Sequence, residues 1–262
     1  MLPASVTGSL AALLSEREAA GHRDLAVVLE LNGAGDLHWV AEAISWLARH
    51  GRRIVLRTDR VLPRAVVEAA RQASGRVGLA VVLRIASYDP GIQAALLGPG
   101  ADAAARLLLG AQHLRAQGLD VSVLVAPLMP VVHRDDDLAA LMRNIAASDI
   151  HDVSFAIGGW SLARHQALAP RLHSGGAAAL ARAYGVYDLE TDLEADPGKR
   201  QLDVRKATLL QRQARRIAED AGLTVGGCGC DAQCTLGTQH TVPFASLLAP
   251  DLFSGLFGAL TG

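Results

Sequence analysis

Short apolar runs alternate with segments of helical period through the first 160 residues of the chain. Residues 9–20, SLAALLSEREAA, space their apolar positions along one face of a helix. Residues 24–32, DLAVVLELN, form a brief apolar run that predicts a buried parallel strand. An amphipathic helix follows over 37–51, LHWVAEAISWLARHG, with Gly51 as its C-terminal cap. The second strand is expected over 52–59, RRIVLRTD. The next helix covers 63–75 and has Pro63 near its start, where a missing N–H does no harm. A third strand (77–87, VGLAVVLRIAS), a helix ending at Gly118 and a fourth strand (119–130, LDVSVLVAPLMP) come next. The helix over 135–149 opens on Asp135, Asp136 and Asp137, which suit the positive end of its dipole. The fifth strand is HDVSFAIGG, residues 151–159. Strands that alternate with helices predict right-handed βαβ units and a parallel sheet, open or closing into a barrel.

Beyond Trp160 the pattern loosens. Residues 161–185 read as one or two helices, and the acidic, Pro-Gly-bearing stretch 188–201 reads as a loop. Residues 202–222 form a long amphipathic helix, and LTVGG after it reads as a sixth strand. The tail 242–260, VPFASLLAPDLFSGLFGAL, is apolar and aromatic. It predicts either a cover for the sheet or a surface for a second copy or a partner subunit. The expected organisation is one α/β domain: residues 1–160 as the β/α core, and 161–262 as helices, a cysteine loop and the apolar tail packed on it.

With 25 basic and 26 acidic residues the formal net charge is −1, and no sustained basic block occurs. That argues against a nucleic-acid partner. No apolar run reaches membrane-spanning length. The opening MLPASVTGSL lacks the basic start and apolar stretch of a signal peptide, and Leu2 leaves no myristoylation signal, so a cytoplasmic protein is expected.

All three cysteines, Cys228, Cys230 and Cys234, fall within seven residues, in GLTVGGCGCDAQCTLGTQH. An odd, clustered set argues against a disulfide framework and for a metal or cluster in a reducing compartment. Soft thiolates suit an iron–sulfur cluster. The same three with His240 make a Cys3His zinc set, although the spacing is unlike that of a standard finger. Reduced thiols in a Gly-rich surface loop are the third reading. Elsewhere, NGAGD after the first strand is either a lone phosphate turn or a tight strand–helix connection. His133 with Asp135 and Asp136 reads as an acid–base group, or as a loop and helix cap. Trp39 and Trp46 lie seven apart on one helix and read as core.

The order of these turns resembles the radical S-adenosylmethionine (radical SAM) superfamily, in its spore photoproduct lyase-like branch, over residues 9–158. LNGAGD, with Gly33, Gly35 and Asp36, stands where the family has a Gly-Gly-Glu-like turn. VLRTDRVLP, with Thr58 and Asp59, is similar to its Thr-Asn-Gly-like turn. VVLRIASYD carries Arg84 and Ser87 near a strand end, and LDVSVLVAPLMPVVHRDDD resembles the Pro-containing loop. The resemblance implies a parallel, partial (β/α) barrel with a C-terminal helical and Cys-containing extension. It also implies a lyase- or transferase-like enzyme whose [4Fe–4S] cluster cleaves S-adenosylmethionine to a 5′-deoxyadenosyl radical. The Gly33–Asp36 turn would then take the cofactor's amino group, Arg84 or Ser87 its carboxylate or ribose, and a ferredoxin or flavodoxin would supply electrons to act on a small-molecule or peptide substrate.

The family's Cys-x-x-x-Cys-x-x-Cys after the first strand is absent, since no cysteine precedes Cys228. A circular permutation would restore it. LTVGG would be that strand and CGCDAQC its cluster loop, with Val225 beside the strand ending at Asn32 and the thiols facing Gly33 to Asp36. The alternatives are a non-catalytic member of the fold acting as a binding or assembly subunit, and a zinc-binding barrel protein.

Overall fold

A computed structural model describes residues 26–31, 38–158, 162–172, 176, 178–180, 202 and 204–226, with Ala12 and Ser15. Its centre is a parallel sheet of six strands in the order β1-β2-β3-β4-β5-β6. The strands are β1 (Val27–Leu31), β2 (Ile54–Thr58), β3 (Leu79–Ile85), β4 (Asp120–Leu128), β5 (Asp152–Ile157) and β6 (Thr224–Val225). Between them run α1 (His38–Arg49), α2 (Arg64–Val77), α3 (Pro90–Leu97), α4 (Ala104–Ala116), α5 (Asp135–Ala147), α6 (Leu162–Leu168) and α7 (Val204–Asp220), with a 3-10 turn over Ala169–Arg171. The expected alternation of strand and helix is observed.

Each strand divides its side chains between two faces, because successive residues of a strand point to opposite sides. Val27, Leu29 and Leu31 of β1, Ile54 and Leu56 of β2, and Leu79, Val81, Leu83 and Ile85 of β3 join the large core under the helices. Fully burying a leucine or isoleucine there stabilises the fold by about 2 kcal/mol. The opposite face is thinner: Ala26, Val28 and Val55 form a small separate cluster with Val82 against it. Trp39 and Trp46 are partly buried against the main core, as their spacing implied.

Gly51 and Gly118, expected to end helices, have φ of +68° and +77°, a conformation that costs a side chain but not glycine. The helix expected to stop at Gly75 runs on to Val77. The chain also forms α3, which the sequence pattern did not announce. Pro90 occupies the first helical turn, and Asp89 caps it by accepting from the Ile92 N–H at 2.8 Å.

The permuted arrangement is corrected by the sheet itself. Val225 pairs with Val153 of β5, not with β1, and β1 and β6 stand at opposite edges. The physical reason is ordinary βαβ logic. α7 packs against β5 and returns the chain one place further along the same sheet, with buried Leu223 leading into β6. Among the described residues the sheet is not closed, and no helix is long and apolar enough to cross a membrane.

Candidate active site

All six strands point the same way, so their C-terminal ends form one rim, where open parallel sheets hold ligands. Of the expected site residues, the structure brings Thr58, Arg84 and Ser87 to this rim, on the ends of β2 and β3. Gly33, Gly35, Asp36, Cys228, Cys230, Cys234 and His240 lie outside the described residues.

Thr58 is fully buried and is occupied by backbone. Its hydroxyl accepts from the Arg60 N–H at 3.0 Å and lies 2.9 Å from the Arg60 carbonyl and 3.3 Å from the Leu31 carbonyl. It therefore ties the end of β2 to the end of β1. Asp59, one residue on, points to the thinner face and is 0% exposed. Arg84 reaches across from β3, and its Nη2 meets Asp59 Oδ2 at 2.7 Å. One side-chain layer below, Arg57 of β2 pairs with Glu30 of β1 at 2.5 Å. Glu30 and Arg57 are register partners, so strand alignment creates the pair.

These pairs leave polar atoms over. Asp59 Oδ1, Arg84 Nε and Arg57 Nε are buried and have no hydrogen-bond partner. Buried polar atoms are nearly always satisfied, so an orphaned acceptor beside two orphaned donors marks a place for a polar guest. S-adenosylmethionine offers matching groups: ammonium and hydroxyl donors for the carboxylate oxygen, and a carboxylate for the arginine N–H. The residues present therefore fit that cofactor. For a cluster, no group of three or more His, Cys, Asp or Glu side chains gathers among the described residues, and the three cysteines lie outside them.

The loops above the pair are braced by two residues that the sequence pattern did not single out for this role. Gln93 of α3 is buried. Its Oε1 accepts from the N–H groups of Ala86 (2.8 Å) and Ser87 (3.1 Å), and its Nε2 donates to the Asp102 carbonyl at 3.1 Å. Asp102 in turn donates its N–H to the Asp59 carbonyl at 2.9 Å and accepts from the Val61 N–H at 2.8 Å. Ser87, held by Gln93 through its backbone, accepts from the Asp89 N–H at 3.2 Å through its hydroxyl oxygen.

His133 lies buried between the loops after β3 and β4. The Met129 N–H reaches its Nδ1 at 3.0 Å, and its Nε2 lies 2.5 Å from the Ala86 carbonyl. A neutral ring with the proton on Nε2 satisfies both partners. Burial pushes His133 below the ordinary histidine value, against the smaller pull of its backbone partners and of Asp137. Both ring nitrogens are spent on backbone, so His133 acts as a brace. Asp135 and Asp136 sit in the first turn of α5, where the Asp135 carboxylate accepts from the Gln213 side chain. At the end of β4 the Ala126–Pro127 peptide is cis and the β4–β5 register shifts between Val125 and Leu128. Gly158, just past β5, packs on the Pro127 ring.

A parallel, unclosed six-stranded sheet with crossover helices, carrying its charged tier at the C-terminal rim, is a radical SAM-like α/β fold. Solved structures share this fold. A cysteine-to-serine variant of spore photoproduct lyase matches with a TM-score of 0.56 at 16% identity, over 80% of this chain and 64% of that one. A further spore photoproduct lyase variant, with bound AdoMet and dinucleoside spore photoproduct, matches with a TM-score of 0.53 at 14% identity. Streptococcus suis SuiB matches with a TM-score of 0.52 at 10% identity, over 84% of this chain and 43% of that one. The chain thus corresponds to 64% of the length of the lyase and less than half of SuiB. No protein-family model and no curated protein matches the sequence.

Proposed function

We propose that this chain is a radical SAM-type enzyme of a reducing, intracellular compartment. Cys228, Cys230 and Cys234 hold a [4Fe–4S] cluster, and S-adenosylmethionine lies at the C-terminal rim of the sheet. The cluster supplies the electron for reductive cleavage of the cofactor. The chain's own residues bind and orient. The Gly33, Gly35 and Asp36 turn after β1 takes the cofactor's amino group. Arg84, with Ser87 nearby, takes the carboxylate or ribose. Asp59 holds Arg84 in place and offers Oδ1 to a cofactor donor, and Thr58 fixes the turn beneath.

One observation carries this reading. In a fold whose solved neighbours bind AdoMet, the rim holds a buried Asp59–Arg84 pair with an unused acceptor and an unused donor. In the sequence, Cys228 comes two residues after Gly226, whose N–H is bonded to the Val153 carbonyl next to β6. Three thiolates leave one iron of a cube open, which is what cofactor chelation requires.

Anaerobic reconstitution with iron and sulfide tests the reading. The expected results are about four irons per chain, iron–sulfur charge-transfer absorbance, an electron paramagnetic resonance signal that shifts on adding S-adenosylmethionine, and 5′-deoxyadenosine after dithionite. A triple Cys228→Ala, Cys230→Ala, Cys234→Ala chain that still loads iron would remove the ligand assignment. Tight zinc with no iron uptake would favour the Cys3His site with His240. A loaded cluster that never cleaves the cofactor would leave the non-catalytic subunit as the better reading.

A further inference from the structure

The thinner face of the sheet carries more polar groups than the cofactor site uses. Strand register lays its side chains out in rows. One row runs Glu30, Arg57, Val82, Ser122 from β1 to β4. The next row toward the rim holds Arg84, Leu124 and Ser154 on β3, β4 and β5. Every side chain of the first row is half-buried, while the other face of the same strands is closed under the helices. Ser154 is half-buried as well, and Leu124 is buried.

The first row is polar at both ends and apolar between. At one end Arg57 gives its Nη1 to Glu30 at 2.5 Å and keeps a buried Nε with no partner. Glu30 thus leaves the Nε–Nη2 edge of the guanidinium, and that edge takes a carboxylate through two parallel N–H bonds. At the other end, among the described residues, neither the Ser122 nor the Ser154 hydroxyl has a hydrogen-bond partner. Val82 lies between them and packs on Val28 and Val55. Adjacent strands are about 4.8 Å apart, so Arg57 and Ser122, two strands apart, are separated by about 10 Å.

Charge narrows the guest further. Glu30 offsets Arg57 and Asp59 offsets Arg84, and the described strands bring no other lysine or arginine to this face. A second negative charge on the guest would therefore meet no cation of its own. Arg57 sits one side-chain layer below Arg84, so it stays available when the cofactor takes the rim.

We infer that the Arg57–Val82–Ser122 row, with Ser154 beside it, binds the substrate, a small monocarboxylic acid whose apolar carbon chain ends in a hydroxyl or amide group. Arg57 takes the carboxylate, Val82 lies under the chain, and the two serines take the far polar group. The inference rests on the function proposed above for what becomes of the bound acid; the binding itself is tested separately.

Ligand-observed magnetic resonance titrations of the full chain supply that test, with ω-hydroxyhexanoate, hexanoate, hexanediol and a thymidine dinucleotide as probes. They are run on reconstituted protein with S-adenosylmethionine present and on the same chain without a cluster. Wild type is expected to prefer ω-hydroxyhexanoate to hexanediol by about tenfold or more and to hexanoate several-fold, because each analogue leaves a polar group of the site unpaired. Arg57→Gln should bring the first preference close to one and keep the second. The double variant Ser122→Ala, Ser154→Ala should do the reverse. Each result is a ratio of two ligands on one protein, so a smaller folded fraction lowers both terms alike, and the serine variants decide the matter if Arg57→Gln does not fold. Equal binding of acid and diol by wild type overturns the inference, as does a variant that keeps the preference it should lose, or the failure of every probe to bind. Tighter binding of the dinucleotide than of any acid assigns the face to a phosphodiester and overturns it too. Selective acid binding by a chain that never loads iron removes the proposed function and keeps this site, whereas cofactor cleavage without acid selectivity keeps the function and removes the site.

Discussion

Replacing Arg84 by methionine tests whether the rim charges form one unit. The substitution keeps an unbranched stem of similar reach and removes the guanidinium. Asp59 is 0% exposed and has Arg84 as its ion-pair partner at 2.7 Å, so the variant leaves a carboxylate buried without its counter-charge. Breaking a fully buried pair in this way costs about 3–5 kcal/mol. Arg84 itself is 22% exposed, so the expectation lies at the low end, about 3 kcal/mol. For a chain of this size that lowers Tm by about 6–12 °C. The reciprocal change should be milder. Asp59→Asn removes the fully buried charge and leaves an arginine that can turn toward solvent, at about 1 kcal/mol. The double variant Asp59→Asn, Arg84→Met should recover most of the loss, giving a coupling energy of about 2 kcal/mol in a double-mutant cycle. Urea unfolding followed by circular dichroism, with the slope m compared across the four proteins, gives all these numbers. Arg84→Met within about 0.5 kcal/mol of wild type, or losses that simply add, would refute the reasoning.

Three further outcomes follow from the braces around the rim. Burial holds the folded-state pKa of His133 below the ordinary histidine value, so its contribution to stability is complete above that ordinary value and is lost as pH falls through the folded value; His133→Gln should flatten this part of a stability–pH profile, and an unchanged slope would count against the brace. Gln93→Ala strands the N–H groups of Ala86 and Ser87 and should cost about 2–4 kcal/mol, with faster hydrogen exchange at those two amides as the local readout. Gly158→Ala would drive a Cβ into the Pro127 ring and should cost about 1–3 kcal/mol, read as a lowered urea midpoint.

The strands and most helices were legible because the core is simple. Val27, Leu29 and Leu31, or Leu79, Val81 and Leu83, announce a buried sheet by apolar runs that need no partner to be recognised. The charged tier was half legible. Arg84 drew attention through the strand-end pattern, but Glu30 and Arg57 sit inside VVLEL and IVLRT, where a lone charge in an apolar strand was the available signal. What makes them a site is the register that sets Glu30 opposite Arg57, and register is a long-range property that no single strand carries. Gln93 and His133 were harder still. Their partners are backbone atoms of residues four to 47 positions away, so residue type and spacing hold no trace of the bond. The permutation failed for a related reason. The sequence marks 223–227 as a strand, but which edge it joins depends on where α7 packs.

The inner tier also explains why charges persist where apolar residues would be cheaper. A buried ion pair rarely adds stability over a well-packed apolar pair, and this sheet already has a full core on its helical face. The thinner face begins apolar, with Ala26, Val28 and Val55, and turns charged only toward the rim, with Glu30, Arg57, Asp59 and Arg84. Folding alone gives no reason for that gradient, because each added charge must be paired and each pair still leaves an atom unsatisfied. A polar guest at the rim gives one. Such a guest would complete Asp59 Oδ1, Arg84 Nε and Arg57 Nε, and the desolvation already borne in folding would become orientation for it. Gln93 and His133 then gain a purpose beyond stability. They hold the backbone at Ala86 and Ser87, next to Arg84, so that the cost of ordering the site is met in folding and not in binding.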